Sequence, residues 1–248
     1  MMKKFVYAPQ IYNPQSAEQV VPFIIDIFRL GDTSLTSVVD VGCGLGTWLH
    51  VFEKQGITNI LGIDAPETNL SELYIRKEQF AARNLAEKIT LDTKFDLAIC
   101  LEVAEHLPEN KADNIVSSLT NLADVLVFSA AIPSQGGQGH LNEQWHTYWQ
   151  EKFEKYNFQF YDVLRPAFWQ NEKVDWWYKQ NMFLVINEEK ISETFRQKIK
   201  DLPTFQHQKL VHPQLFTEVS NYLETIRSGK LGVKKTTSLL WKALKRFM

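Results

Sequence analysis

One stretch constrains this chain more than any other: Val38-Val39-Asp40-Val41-Gly42-Cys43-Gly44-Leu45-Gly46-Thr47-Trp48-Leu49. An apolar, β-branched run ends in an acidic residue, and three glycines follow at alternate positions before a helical pattern begins. The order predicts strand, tight turn, helix. Glycines there let backbone approach a ligand that a side chain would block. The helix start adds free N–H groups and the positive end of a dipole. A second apolar run, residues 59–63, ends in Asp64.

The rest of the chain repeats the alternation. Residues 16–30 read as a helix capped by Ser16, with Ala17, Val20, Val21, Ile24, Ile25 and Phe28 on its apolar side. Residues 70–75 suggest a short helix, and 80–91 are ambiguous. Residues 95–100 read as a buried strand, 108–122 as a helix and 125–132 as the next strand, which predicts parallel crossover units. Residues 133–147 lack periodicity and are rich in Gly and hydrogen-bonding side chains, as expected of a loop at the carboxyl end of a strand. Residues 148–156 form a helix pattern. Residues 158–163 and 180–187 look like a final strand pair, and the pattern is helical beyond, broken near Pro203 and Pro213.

The glycine stretch resembles the nucleotide-binding motif of class I S-adenosylmethionine (SAM)-dependent methyltransferases, Asp/Glu-x-Gly-x-Gly-x-Gly, matched here by Asp40, Gly42, Gly44 and Gly46. The Gly-x-Gly-x-x-Gly spacing of dinucleotide dehydrogenases is absent. The resemblance covers roughly residues 38–187. It implies an α/β fold, a Rossmann-like, doubly wound, mostly parallel seven-stranded sheet with helices on both faces, and SAM as cofactor. It places Asp40, Gly42, Cys43, Gly44 and Gly46 around the methionine end of SAM, with Asp64 on the ribose diol beside Ala65. Asn84 and Leu85 would border the adenine, and Leu101 completes the set. Residues 1–187 are then the SAM-binding domain, with 1–31 as a cover segment whose Tyr7 and Tyr12 could line the pocket mouth. Residues 188–248 are a helical extension.

A second constellation follows the strand ending at Cys100. Glu102, Glu105 and His106 stand at i, i+3 and i+4, which on a helical turn gathers two carboxylates and an imidazole on one face. Adjacent carboxylates repel unless a cation lies between them. Two oxygens and a nitrogen suit Mg²⁺ or another divalent ion. Glu-x-x-Glu-His with a later His also resembles two metal-dependent O-methyltransferase groups, one acting on the 3′ end of small RNAs and one on catechol-type ubiquinone intermediates. That resemblance implies Glu102, Glu105, His106 and His140 as ligands, with His146 competing for the fourth place, and gives His106 and His140 a part in catalysis.

The segment Gly139-His140-Leu141-Asn142-Glu143-Gln144-Trp145, with Trp176-Trp177-Tyr178 and Asn181, is similar to methyltransferases encoded with bacterial capsule and lipopolysaccharide enzymes. This implies a sugar-like or phosphorylated acceptor in polysaccharide biosynthesis. Gln135, Asn142, Gln144, Trp145, Arg165 and Trp177 are its candidate contacts: amides read hydroxyls, indoles cover sugar C–H faces and Arg165 could meet a phosphate.

Bulk properties narrow the alternatives. A net charge of −2 over 248 residues argues against a broad nucleic-acid surface, and so against the alternative of RNA 3′-end methylation. Cys43 and Cys100 are expected to be reduced and buried, which suits the cytoplasm. No signal peptide or membrane span is expected. Residues 230–248 carry no acidic residue, and Lys234, Lys235, Lys242, Lys245 and Arg246 accompany Leu239, Leu240 and Trp241. That pattern suits a helix on the inner membrane face, on its own domain or on a second subunit. A non-catalytic SAM-fold subunit of a membrane-associated assembly is the remaining alternative.

Overall fold

The computed structural model describes residues 13–205 and 209–244. Tyr7, Tyr12, Lys245 and Arg246, named above, lie outside them. The chain divides into two compact units, residues 1–210 and 211–248.

The first unit is built on one sheet. Its strands are β1 (Ser37–Val41), β2 (Asn59–Asp64), β3 (Phe80–Ala82), β4 (Leu97–Leu101), β5 (Val125–Ser129), β6 (Phe158–Tyr161) and β7 (Phe183–Asn187), in the order β3-β2-β1-β4-β5-β7-β6. β1 to β5 pair in parallel, and β7 runs antiparallel to both β5 and β6. The helices are α1 (Gln15–Leu30), α2 (Thr47–Lys54), α3 (Ala112–Leu122), α4 (His146–Glu154), α5 (Leu164–Phe168), α6 (Trp176–Asn181) and α7 (Glu193–Lys200).

Strand alternation divides the apolar residues between two cores. Val38, Leu97, Ile99, Val125, Val127, Leu184 and Ile186 face one layer, with Ile24 and Phe28 of α1, Leu49 and Phe52 of α2, and Phe195 of α7. Val39, Val41, Ala98, Cys100, Leu126, Phe128 and Val185 face the other, with Ile115 and Leu119 of α3 and Trp149 and Phe153 of α4. With both faces covered, β1, β4 and β5 are buried throughout, as continuous apolar runs in parallel strands require.

Several local readings change. Ser16 does not cap α1. It lies inside the helix, and its hydroxyl donates to Asp175 at 2.7 Å. Residues 70–75 form bends instead of a helix, because the Tyr74 N–H donates to the Leu45 carbonyl at 2.8 Å and the segment is strapped over the glycine turn. The boundary at 187 falls within the first unit. Phe195 brings α7 onto α1, 5.6 Å from the Phe28 ring, and sits where a β-carbon on Gly31 would be only 2.4 Å away.

The second unit holds α8 (Pro213–Arg227), with Pro213 in its first turn, and α9 (Val233–Leu244). Among the described residues no helix is long and apolar enough to cross a membrane.

Candidate active site

Strand order brings three loops side by side. The glycine turn leaves β1, residues 102–107 leave the adjacent β4, and residues 130–145 leave β5 beyond it. The sheet reverses its winding between β1 and β4, where open α/β sheets bind ligands.

The glycine turn forms as its spacing predicts. Gly42, Gly44 and Gly46 have φ of 86°, 55° and 80°, in the left-handed region that favours glycine. Gly42 is required twice, since a β-carbon there would stand 2.2 Å from Val103 Cγ2. Gly46 caps α2 and carries no side chain, so no side chain meets the first N–H groups of the helix. Asp64 accepts from the Gly44 N–H at 2.5 Å and from the Ala65 N–H at 2.6 Å, tying the end of β2 to the turn. Asp40 is buried, and burial, with Asp64 nearby, holds its carboxyl well above the usual range. Cys43 and Cys100 are buried and free. Leu101 is buried at the end of β4. Leu85 is buried in the second core, whereas Asn84 is exposed and accepts from the Ala86 N–H.

The expected helical turn over 102–106 does not form. Glu102 has φ 54°, left-handed although it is not glycine, and only Ala104–His106 form a short 3₁₀ turn. Such a conformation costs roughly 1–3 kcal/mol and clusters at functional sites. Glu102 and Glu105 therefore do not share a helix face. Glu102 accepts from Gln135 Nε2 at 2.8 Å and from Asn181 Nδ2 at 3.0 and 3.2 Å. Gln135 Oε1 in turn accepts from Asn181 and Gln180. Burial raises the Glu102 carboxyl to about 7, against the hydrogen bonds of Asn181, Ser129 and Gln135.

Glu105 is wholly buried, and neither carboxylate oxygen makes a well-formed hydrogen bond; the N–H groups of Glu105 itself and of Ala131 are the nearest donors and only partly offset its burial. Burial, then the neighbouring Glu102, pushes its carboxyl well up, and the two are close enough to share a proton. One ligand atom each from Glu105, His106 and His140 lie within 4.8 Å of one another. The imidazoles of His106 and His140 meet edge to face, 4.9 Å between centroids. Burial, then His140, lowers His106 to about 4, against hydrogen bonds to the Gly139 and Gln138 backbone, so it is neutral at physiological pH. His146 does not compete for this place: it is buried at the start of α4, with Nε2 3.3 Å from Asn181 Oδ1.

The acceptor contacts separate. Arg165 is wholly buried, paired with Asp162, donating to the Gln180 carbonyl and stacked 4.5 Å over Phe183. It is a core ion pair, and the expectation that it meets a phosphate is overturned. Gln135 is committed to the Glu102 network. Asn142 is 3% exposed; its Oδ1 accepts from Gln144 at 2.9 Å, while its Nδ2 has no partner. Trp145 is half-buried, and half-buried Trp177 packs against Trp176 and Tyr178. The sequence reading passed over Ser129 and Gln180 and named Glu143 and Asn181 only within a motif. Of these, only Glu143 carried a signal, as an acid three residues after His140 in a loop with no other carboxylate.

A seven-stranded sheet with one reversed strand, and a glycine turn closed by an acid at the end of β2, together define the class I methyltransferase architecture. A family model described as a methyltransferase domain matches residues 13–183, well over half the chain, and the chain belongs to that family. It is 31% identical over 109 residues to a ubiquinone biosynthesis O-methyltransferase of Rickettsia typhi, covering 41% of this chain and 42% of that protein. It is 33% identical over 110 residues to the chloroplastic magnesium protoporphyrin IX methyltransferase of Arabidopsis thaliana, covering 41% and 35%. The chain thus spans less than half the length of these relatives. The SAM-bound amino pentose methyltransferase CalS10 of Micromonospora echinaspora shares the fold at a TM-score of 0.53 and 14% identity, covering 75% of this chain and all of that one. The SAM-bound magnesium protoporphyrin IX methyltransferase of Synechocystis shares it at 0.51 and 21%, covering 71% and 79%.

Proposed function

We propose that the chain is a SAM-dependent O-methyltransferase, assisted by a divalent cation, that methylates a hydroxyl of a carbohydrate-like small molecule in surface-polysaccharide biosynthesis. One observation carries the reading: a wholly buried carboxylate, Glu105, has no well-formed hydrogen bond on either oxygen and lies with two imidazoles beside the glycine turn. A carboxylate so poorly satisfied suits a cation, and oxygen with neutral imidazole suits a divalent one. The curated relatives that are O-methyltransferases by name support an oxygen acceptor.

Glu105, His106 and His140 would hold the cation, with Glu102 the adjacent carboxylate fixed by Asn181 and Gln135. Bound there, a divalent ion would lower the pKa of an acceptor hydroxyl and fix its oxygen. SAM brings the reactive methyl group, and the glycine turn with Asp40 and Asp64 orients it. In the transfer the acceptor oxygen bonds to the methyl carbon while the carbon–sulfur bond breaks. The sulfur keeps the electron pair and S-adenosylhomocysteine leaves. The hydroxyl proton can pass to Glu102, the carboxylate beside the ligands, whose pKa burial raises to about 7. The loop from β5 excludes water from Glu105, since the Leu141 and Asn142 N–H groups both donate to the Glu105 backbone carbonyl. The unpartnered Asn142 Nδ2 can meet an acceptor hydroxyl, and Trp145 and Trp177 can cover sugar C–H faces.

Exposed Leu240 and Trp241 on α9, with Lys235, support a peripheral contact with an anionic membrane face.

The test is mass spectrometry of the full chain incubated with methyl-labelled SAM and a panel of sugars, nucleotide sugars, catechols and short RNA, with Mg²⁺ or with chelator. The expected result is label on a sugar hydroxyl, lost with chelator. Full activity in the chelated enzyme overturns the cation, and label on RNA or catechol alone overturns the acceptor class.

A further inference from the structure

Residues 133–143 fold over Glu105 as a loop whose backbone is itself strained. Ser134 has φ 73° although it is not glycine, and Gly136, Gly137 and Gly139 all have positive φ. One side chain gathers it. The Glu143 carboxylate accepts from the Ser134 N–H at 2.8 Å, from the Gly136 N–H at 2.7 Å and from His140 Nδ1 at 2.9 Å. Gly137 closes the other side of the ring, because a β-carbon there would stand 2.2 Å from His140 Nε2.

We propose that Glu143 is the positioning residue of this site: its carboxylate braces the loop and holds His140 as the Nδ1–H tautomer, with the Nε2 lone pair as its ligand atom. The chemistry of the contact requires this. An ionised carboxylate only accepts, so the nitrogen facing it carries the hydrogen, and the lone pair of a neutral imidazole is then on the other nitrogen. A carboxylate behind a ligating histidine fixes both the ring orientation and the basicity of the ligand atom, and its loss typically costs 10–100-fold in metal affinity. Three bonds to one carboxylate also hold Ser134 in a conformation it would otherwise leave. Gly137 has a steric part, since its missing side chain makes room for the ring that Glu143 positions. The inference rests on the cation reading only for the identity of what His140 binds; the tautomer and loop bracing stand without it.

The test uses the full chain as wild type, Glu143→Ala, Glu143→Gln and Gly137→Ala. Two measurements are made: long-range proton–nitrogen spectra of the imidazoles, with His140 assigned by its absence in His140→Gln, and calorimetric titration with Mn²⁺ alone. Wild type is expected to show His140 protonated at Nδ1. Glu143→Ala is expected to lose that tautomer and about 10–100-fold in Mn²⁺ affinity, with SAM affinity unchanged. Glu143→Gln keeps an acceptor for Nδ1 and is expected to keep the tautomer with a smaller loss. Gly137→Ala keeps the tautomer, displaces the ring and loses Mn²⁺ affinity. A wild-type tautomer and affinity in Glu143→Ala overturn the proposal. If that variant does not fold, unchanged Mn²⁺ affinity in both Glu143→Gln and Gly137→Ala overturns it equally. Wild type that binds no Mn²⁺ refutes the cation reading, and the tautomer of Glu143→Ala still decides the role of Glu143.

Discussion

Glu105→Met should make the protein more stable and inactive, a combination that only a functional carboxylate explains. The side chain is wholly buried, neither oxygen makes a well-formed hydrogen bond, and Glu102 lies beside it. An unsatisfied buried polar group costs about 1–3 kcal/mol. Met has no polar group to satisfy and leaves no cavity, and because it is larger than Glu by about one methylene, overpacking takes back part of the gain. For a protein of this size 1 kcal/mol moves Tm by about 2–4 °C, which places the expected rise at roughly 2–12 °C. A proton shared with Glu102 moves the result toward the lower end. Differential scanning calorimetry in chelator, with and without SAM, measures it. Divalent cation should then narrow or reverse the order. Wild type gains about 2.7 kcal/mol when free cation is about a hundredfold above Kd, and Glu105→Met gains nothing. A variant that melts at or below wild type in chelator refutes the reasoning, because Glu105 would then be satisfied within the fold.

Three further outcomes follow from the same structure. Arg165→Met leaves the Asp162 carboxylate buried without its partner and should cost about 3–5 kcal/mol in denaturant unfolding; unchanged stability with a raised KM would instead return Arg165 to the acceptor site. Gly42→Ala places a β-carbon against Val103 at a φ that costs roughly 1–2 kcal/mol for other residues, and titration calorimetry should read about a tenfold loss or more of SAM affinity. Asp96 accepts from Thr36 and Ser37 at 2.6–2.9 Å; burial pushes its carboxyl up, but these bonds outweigh it and the net shift is downward. A depressed folded pKa contributes stability above the unfolded value, near 3.9, that is lost as pH falls through the folded one. The stability gap between wild type and Asp96→Asn should therefore be full at neutral pH and close on acidification below about 4; a gap that persists there would refute the assignment.

Much of this fold was legible because its signals are local. Continuous apolar runs marked β1, β4 and β5, and three alternate glycines marked a turn whose left-handed angles few other residues adopt. The site was legible as a set of residues and misread as a geometry. The spacing of Glu102, Glu105 and His106 fits a helical turn, but the bonds from Gln135 and Asn181 hold Glu102 at the strand end in a strained conformation that no pattern announces. Arg165 looked like a ligand contact although its partner Asp162 stands only three residues before it; what no local pattern announces is its complete burial and the Phe183 ring, far along the chain, that lies under its guanidinium. Ser16 had the right chemistry for a cap, yet Asp175, far along the chain, claims its hydroxyl.

The account depends most on three side chains acting as one cation site beside the glycine turn. A crystal grown with Mn²⁺ and S-adenosylhomocysteine, measured for anomalous scattering at the manganese edge, addresses that directly. The account predicts one strong peak bounded by Glu105, His106 and His140, with the nucleoside on the Asp40–Asp64 side of the turn. Nucleoside density in the turn with no anomalous peak at those three side chains would contradict it.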